Sequence, residues 1–182
     1  MWGLLADHLF RMSFAVRHSL EEDLPRMLAI YERARAYMAS LGNPHQWGDS
    51  GYPSVSLLRE DIARGISYVV TDREDEVVAT FVFVEGEDPT YSIIEGAWLN
   101  EQPYGVIHRL ASSGREKGIA RFVFDWCSQR SRNLRVDTHA QNLVMQHLFL
   151  SLGFVPCGTI FLPDGSPRFA YQRAIPKPSK EG

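Results

Sequence analysis

Tyr104-Gly-Val-Ile-His-Arg-Leu-Ala-Ser-Ser-Gly-Arg-Glu-Lys-Gly-Ile-Ala-Arg-Phe-Val-Phe-Asp-Trp-Cys127 reads as a strand, a short turn and a helix. Tyr104 to Ala111 is rich in β-branched and aromatic residues, the composition of a strand. Ile119, Phe122, Val123, Trp126 and Cys127 recur at i, i+3, i+4, i+7 and i+8, which predicts a helix with one buried face. Between them, Arg115-Glu-Lys-Gly-Ile-Ala120 is a glycine-containing turn that opens straight into that helix. Such a junction presents unpaired backbone N–H groups and the positive end of a helix dipole, and a phosphate or pyrophosphate is their natural occupant. The same residues also suit an ordinary βα connection in which Gly118 only relieves a tight turn.

Downstream, Leu134-Arg-Val-Asp-Thr138 reads as the next strand. It is followed by Asn142, by Met145, Leu148, Phe149 and Leu152 on one helical face, and by Gly153-Phe154. Asn142 is a good N-cap, and Gly153 sits where a left-handed residue would stop the helix. The pair of motifs, Arg-x-x-Gly-x-Ala after a strand and an Asn-containing helix ending in Gly-Phe, resembles the GNAT-type N-acetyltransferases over most of residues 14–174. That resemblance implies a single α/β domain with a mixed central sheet of about seven strands flanked by about four helices. It also implies acetyl-CoA as acyl donor and a primary amine of a small or amino-acid-like molecule as acceptor. Family members often dimerise, so a homodimer is among the implied partners.

The composition fits this class. At 182 residues the chain falls within the span of about 100–200 residues usual for one domain. With 45% hydrophobic and 23% charged residues it is neither disordered nor membrane-spanning. A formal charge of −3 and a pI near 6.1 argue against a general nucleic-acid binder. Cys127 and Cys157 are the two cysteines; reduced, buried thiols are expected, which favours the cytoplasm. No run approaches the roughly 18 apolar residues of a membrane span, and the N-terminus lacks the basic start of a secretory signal. Residues 1–11 are expected to be an extension, residues 12–174 the transferase domain, and residues 175–182 a tail.

Other elements follow from local pattern. Phe14 to His18 reads as a first strand. Ser19 and Glu22 have capping-box spacing, and Leu20, Leu24, Met27, Leu28, Tyr31, Ala34, Met38 and Leu41 trace an apolar stripe ending at Gly42-Asn-Pro44. A shorter helix around Leu57, Leu58 and Ile62 ends near Gly65. Strands Ile66 to Thr71 and Glu76 to Glu85 flank the turn Asp72-Arg-Glu-Asp75, and Phe154 to Leu162 and Arg168 to Arg173 read as a hairpin around Pro163-Asp-Gly-Ser-Pro167.

By the resemblance, pantetheine amides pair with the strand edge Leu110, Ala111 and Ser112. The pyrophosphate rests on the N–H groups of Lys117, Gly118, Ile119, Ala120 and Arg121, with Arg115 and Lys117 supplying charge, and Asn142 reaches toward the pantetheine arm. Acyl transfer needs a neutral amine, a donor for the thioester oxyanion and a proton for the leaving thiolate. His108 is the preferred base: strand alternation puts residues 104, 106, 108 and 110 on one face, and His titrates near neutrality. A histidine satisfied by a neighbouring strand is the other reading of His108. Asp137 and His139, two apart, are expected to bind the amine, relay a proton or orient His108; as a lone pair they do not make a metal site. Trp47, Glu95 and Tyr104 are candidates for substrate contact, and Glu85-Gly-Glu-Asp88 would favour a cationic acceptor unless it is only a solvated face.

One departure is chemical. Many family members carry a tyrosine that protonates the leaving thiolate, and Phe149 stands at that position. A non-catalytic acyl-CoA-binding or sensing domain is therefore the alternative function. A phosphate-binding protein unrelated to CoA is a third, weakened by the absence of Gly-x-x-x-x-Gly-Lys-Ser/Thr and Gly-x-Gly-x-x-Gly.

Overall fold

Pro25 lies in the first turn of helix α1 (Leu24–Ser40), where its missing N–H forfeits no hydrogen bond. The expected Ser19–Glu22 capping box does not form. The Ser19 hydroxyl instead meets that of Ser67 at 2.8 Å, and Asp23 closes a 3₁₀ turn, Glu21–Asp23, by accepting from the Leu20 N–H at 2.8 Å. Arg17 holds the same carboxylate at 2.7 and 2.9 Å. A charged partner outcompetes a hydroxyl for the cap. Along α1, Leu24, Met27, Ile30 and Tyr31 are buried. Each is worth about 1.5–3 kcal/mol, more than the roughly 1 kcal/mol of a cap, so packing holds this helix.

The computed structural model describes residues 14–47 and 51–175; the expected extension 1–11, and the expected tail beyond Ile175, lie outside the described residues. The remaining helices are α2 (Val55–Ala63), α3 (Ile119–Ser128) and α4 (Leu143–Ser151). The strands are β1 (Ala15–His18), β2 (Ser67–Thr71), β3 (Val77–Glu85), β4 (Glu95–Gly96), β5 (Gly105–Ser112), β6 (Asn133–Thr138), β7 (Val155–Phe161) and β8 (Pro167–Ala174). They hydrogen-bond in the order β1-β2-β3-β5-β6-β8-β7-β4, a mixed sheet in which β5 and β6 are parallel.

The sheet thus has eight strands where about seven were expected. The extra one is β4, two residues that pair with Thr159 and Gly158 of β7. The two glycines of this pairing have no room for a side chain: a Cβ on Gly96 would stand 2.2 Å from the Cys157 carbonyl, and one on Gly158 2.1 Å from that of Glu95. Glycine inside a strand marks such close backbone approach.

Two packed units result, the described residues up to Phe83 with His108–Val123, and Val84–Ile107 with the described residues from Phe124 on. Strand β5 and helix α3 run from one into the other. In the first unit, β1, β2 and β3 are antiparallel and carry a core of Leu24, Met27, Ile30, Tyr31, Leu58, Val69, Val77 and Ala111. In the second, the hairpin β7–β8 forms as expected, with Gly165 at φ +80° in its turn, and β8 pairs with β6. Tyr91, Val106, Ile160 and Ala170 form one core cluster there. Phe124, Phe149, Phe154 and Tyr171 form an aromatic group, with ring centroids 5.2–5.8 Å apart.

Helix ends follow the sequence closely. Asn142 caps α4, its side chain accepting from the Met145 N–H at 3.2 Å. Gly153 leaves the helix at φ +81°, with the Phe154 N–H returning to the Phe149 carbonyl at 3.0 Å. The buried face of α3 is Ile119, Val123, Phe124 and Cys127, so Phe124 joins the stripe while Phe122 and Trp126 are half-buried. Cys127 and Cys157 are buried free thiols, and burial raises both pKa values.

Candidate active site

In the first unit, the Ser113 N–H donates to the Val78 carbonyl at 2.7 Å, which ties the end of β5 to β3. The chain then leaves the sheet as a loop in which Gly114, Arg115, Glu116, Lys117 and Gly118 are all exposed. Gly118 has φ +80°, a conformation that costs an L-residue about 1–2 kcal/mol. Such a conformation suits both a tight βα turn and an anion cradle. The Phe122 N–H returns to the Gly118 carbonyl at 3.0 Å, so the amides of Ile119, Ala120 and Arg121 precede the first helical bond and have no acceptor within α3. Arg115 and Lys117 stand in the loop ahead of them.

A further cation, not singled out from the sequence, adjoins the loop. Arg33 of α1 lies over Gly114, where a Cβ would stand 2.7 Å from Nη2 and 2.9 Å from Nε. The second glycine of the loop was the available signal, since glycine admits close approach.

Strand β5 carries Leu110, Ala111 and Ser112, half-buried, buried and half-buried in turn. Just before them Arg109 has φ +53°, rare for a non-glycine residue and costing of order 1–3 kcal/mol. This kink breaks the period-2 alternation. The expected shared face of residues 108 and 110 therefore does not follow, and His108, Arg109 and Leu110 are all half-buried. Tyr31, fully buried, donates its hydroxyl to the Arg109 carbonyl at 3.0 Å; burial raises its pKa, so it stays a donor. The Arg109 guanidinium donates to the Tyr52 hydroxyl at 2.8 Å and to the Asp61 carboxylate at 2.5 Å. Burial pushes the Asp61 carboxyl upward, opposed by Arg109. Burial also works against the Arg109 cation, but Tyr52 and Asp61 outweigh it and the guanidinium stays charged. Trp47 meets Tyr31 edge-on, with centroids 5.8 Å apart.

In the second unit, Asp137 lies near the end of β6 and accepts from the Tyr91 hydroxyl at 2.7 Å. Burial, reinforced by the Asp137 charge, holds the Tyr91 pKa well above its usual value. Strand β6 ends at Thr138, so strand alternation does not extend to His139. Nδ1 of His139 accepts from the Gln141 N–H at 3.2 Å, which places the proton of the neutral ring on Nε2. Glu95 is exposed in β4. The Tyr104 hydroxyl accepts from the Asp88 N–H at 3.1 Å, and its ring lies 3.9 Å from the guanidinium carbon of Arg135, with Trp98 at 4.2 Å on the same cation. Asp88 caps the 3₁₀ turn Pro89–Tyr91 through the Thr90 N–H at 2.9 Å, so part of the acidic segment is engaged locally. Phe149 is 2% exposed within its aromatic group.

Among the described residues no group of three His, Cys, Asp or Glu is disposed to hold a metal, and no helix is long and apolar enough to cross a membrane.

No protein-family model matches the chain, and no curated protein matches it. Solved structures do. An acetyltransferase of the GNAT family from Streptococcus agalactiae 2603 is 29% identical, with 90% of this chain and 96% of that one covered and a TM-score of 0.81. A GNAT-family acetyltransferase from Listeria monocytogenes 4b F2365 shares the fold at 14% identity, with 89% and 95% covered and a TM-score of 0.67. A GNAT-superfamily phosphinothricin acetyltransferase from Sinorhizobium meliloti, solved in complex with AcCoA, shares it at 17% identity, with 93% and 95% covered and a TM-score of 0.60.

Proposed function

By its fold the chain is a member of the GNAT-type N-acetyltransferase superfamily, and from that premise we propose that it moves an acetyl group from acetyl-CoA directly to a primary amine of a small or amino-acid-like molecule. The observation that carries this reading is the loop Gly114–Gly118. Its glycine at φ +80° turns the amides of Ile119, Ala120 and Arg121 into the start of α3, and Arg115, Lys117 and Arg33 bring positive charge to the same loop. A pyrophosphate matches both features. The edge Leu110–Ser112 supplies backbone groups for the pantetheine amides in the manner of an added strand.

The reaction forms an amide C–N bond and breaks the thioester C–S bond. An aliphatic amine with a pKa near 10.4 is mostly protonated at pH 7, so a base must take its proton. His108 is assigned that role. Asp137, held by Tyr91, and His139, with its Nε2 proton, are assigned to binding the acceptor or relaying a proton. The departing thiolate needs a proton too. A thiol with a pKa of about 8.5 takes one from water at neutral pH, which lets Phe149 stand without a substitute acid.

Phe149, buried against the rings of Phe124, Phe154 and Tyr171 and without a proton to give, favours the second reading, an acyl-CoA-binding domain without turnover. A thiol-release assay with acetyl-CoA and a panel of amines separates the two. Gly118→Asp, which strains the loop and adds a negative charge at the helix start, is expected to weaken acetyl-CoA binding at least about tenfold. Unchanged affinity would show the loop to be misassigned. Wild-type binding without turnover on any amine would select the second reading.

A further inference from the structure

We propose that Asp61, Tyr52 and Tyr31 are positioning residues that act through Arg109, locking the kink of β5 and so fixing His108 and the edge Leu110–Ser112 for acyl transfer. This rests on the transferase reading above. Two non-glycine residues among those described have positive φ, Asp75 and Arg109. Asp75 lies in an exposed turn, where Asp tolerates the left-handed region. Arg109 lies within a strand, where nothing local favours it. Strain of this kind persists only where the surroundings over-determine it.

Here they do, from three separate parts of the first unit. The Tyr31 hydroxyl of α1 holds the Arg109 carbonyl at 3.0 Å. Tyr52, ahead of α2, holds Nη1 at 2.8 Å, and Asp61 of α2 holds Nη2 at 2.5 Å. Both backbone and side chain of the kinked residue are thus fixed. The side chains of Arg109 and Asp61 are 13% and 2% exposed, and a buried ion pair is a poor source of stability because desolvation offsets its attraction. Placement is the better account of such a pair. His108 precedes the kink and Leu110 follows it, so the lock sets the directions in which both leave the strand.

The test combines thiol-release turnover, calorimetric acetyl-CoA affinity, thermal denaturation and amide hydrogen exchange. Tyr31→Phe removes the hydroxyl that donates to the Arg109 carbonyl and that also meets the Thr80 side chain. It is expected to lower kcat by about tenfold, to weaken acetyl-CoA binding by a smaller factor because the edge Leu110–Ser112 loosens with the kink, and to speed exchange at the amides of residues 108–112. Asp61→Asn leaves a buried cation without its counter-charge and is expected to lower both Tm and kcat. Adding Arg109→Gly removes that cation, and glycine takes φ +53° without strain, so Tm should recover while kcat stays low. Recovery of both, or a Tyr31→Phe variant with wild-type kcat and exchange, would overturn the proposal and leave a purely structural pair. If the wild type neither binds nor turns over acetyl-CoA, the transferase reading fails instead, and the proposal fails with it in its catalytic part; the exchange comparison then tells whether the lock holds the kink at all.

Discussion

At the scale of single residues, one atom position decides each role. His139 presents Nε2–H because Nδ1 accepts from the Gln141 backbone, so in its neutral form it donates and is ill suited to take a proton at Nε2. His108 is the imidazole that the proposed function assigns to the amine proton. His108→Ala is expected to reduce kcat by about 10²–10⁴ with little change in acetyl-CoA affinity. Steady-state turnover beside calorimetry checks this, and full retained turnover would remove His108 as base. Gly118, Asn142 and Gly153 were legible in the sequence because their signals are local: a glycine at a forced left-handed turn, an amide at a helix start. Arg109 was not. Its conformation is imposed by Asp61 and Tyr31, 48 and 78 positions away in the chain, and no residue pattern around it announces a positive φ in an arginine.

At the scale of elements, the strands and helices expected from period and turn chemistry are present to within a residue or two except at the start of α1, which begins at Leu24 after a separate 3₁₀ turn. β4 was missed because it is two residues long and contains glycine; only Gly158 inside the expected β7 hinted at a neighbour. The start of α1 was mis-assigned to Ser19 because the sequence does not show Arg17 and Ser67 competing for the same groups. This corner carries a pH prediction. The hydrogen bonds from Arg17 foremost, reinforced by the Leu20 N–H, hold the Asp23 carboxyl below its ordinary value of 3.8. A depressed folded-state pKa stabilises the fold fully above the ordinary value and loses that stabilisation as pH falls through the folded one. Asp23→Asn should therefore lower Tm at pH 7 and flatten the decline of Tm below about pH 4. An unchanged acid limb in Tm measured across pH would remove Asp23 from the account.

At the scale of the whole molecule, two motifs in order, a mixed sheet with a parallel β5–β6 pair and a fold shared with GNAT-family acetyltransferases support the acyl-CoA donor of the proposed function. The acceptor has no comparable signature. The groups assigned to it, Trp47, Glu95, Tyr104, Asp137 and His139, are spread along the chain, and several also have structural partners. Trp47 packs on Tyr31, Tyr104 on Arg135, and Asp137 accepts from Tyr91. The donor is thus the more secure half of the reaction and the one to test first. Calorimetric titration of the purified protein with acetyl-CoA, with ATP as the control ligand, does so most directly. Saturable binding of acetyl-CoA with none of ATP is the predicted result. No heat from acetyl-CoA, or equal binding of ATP, would contradict the assignment of the Gly114–Gly118 loop and with it the proposed function.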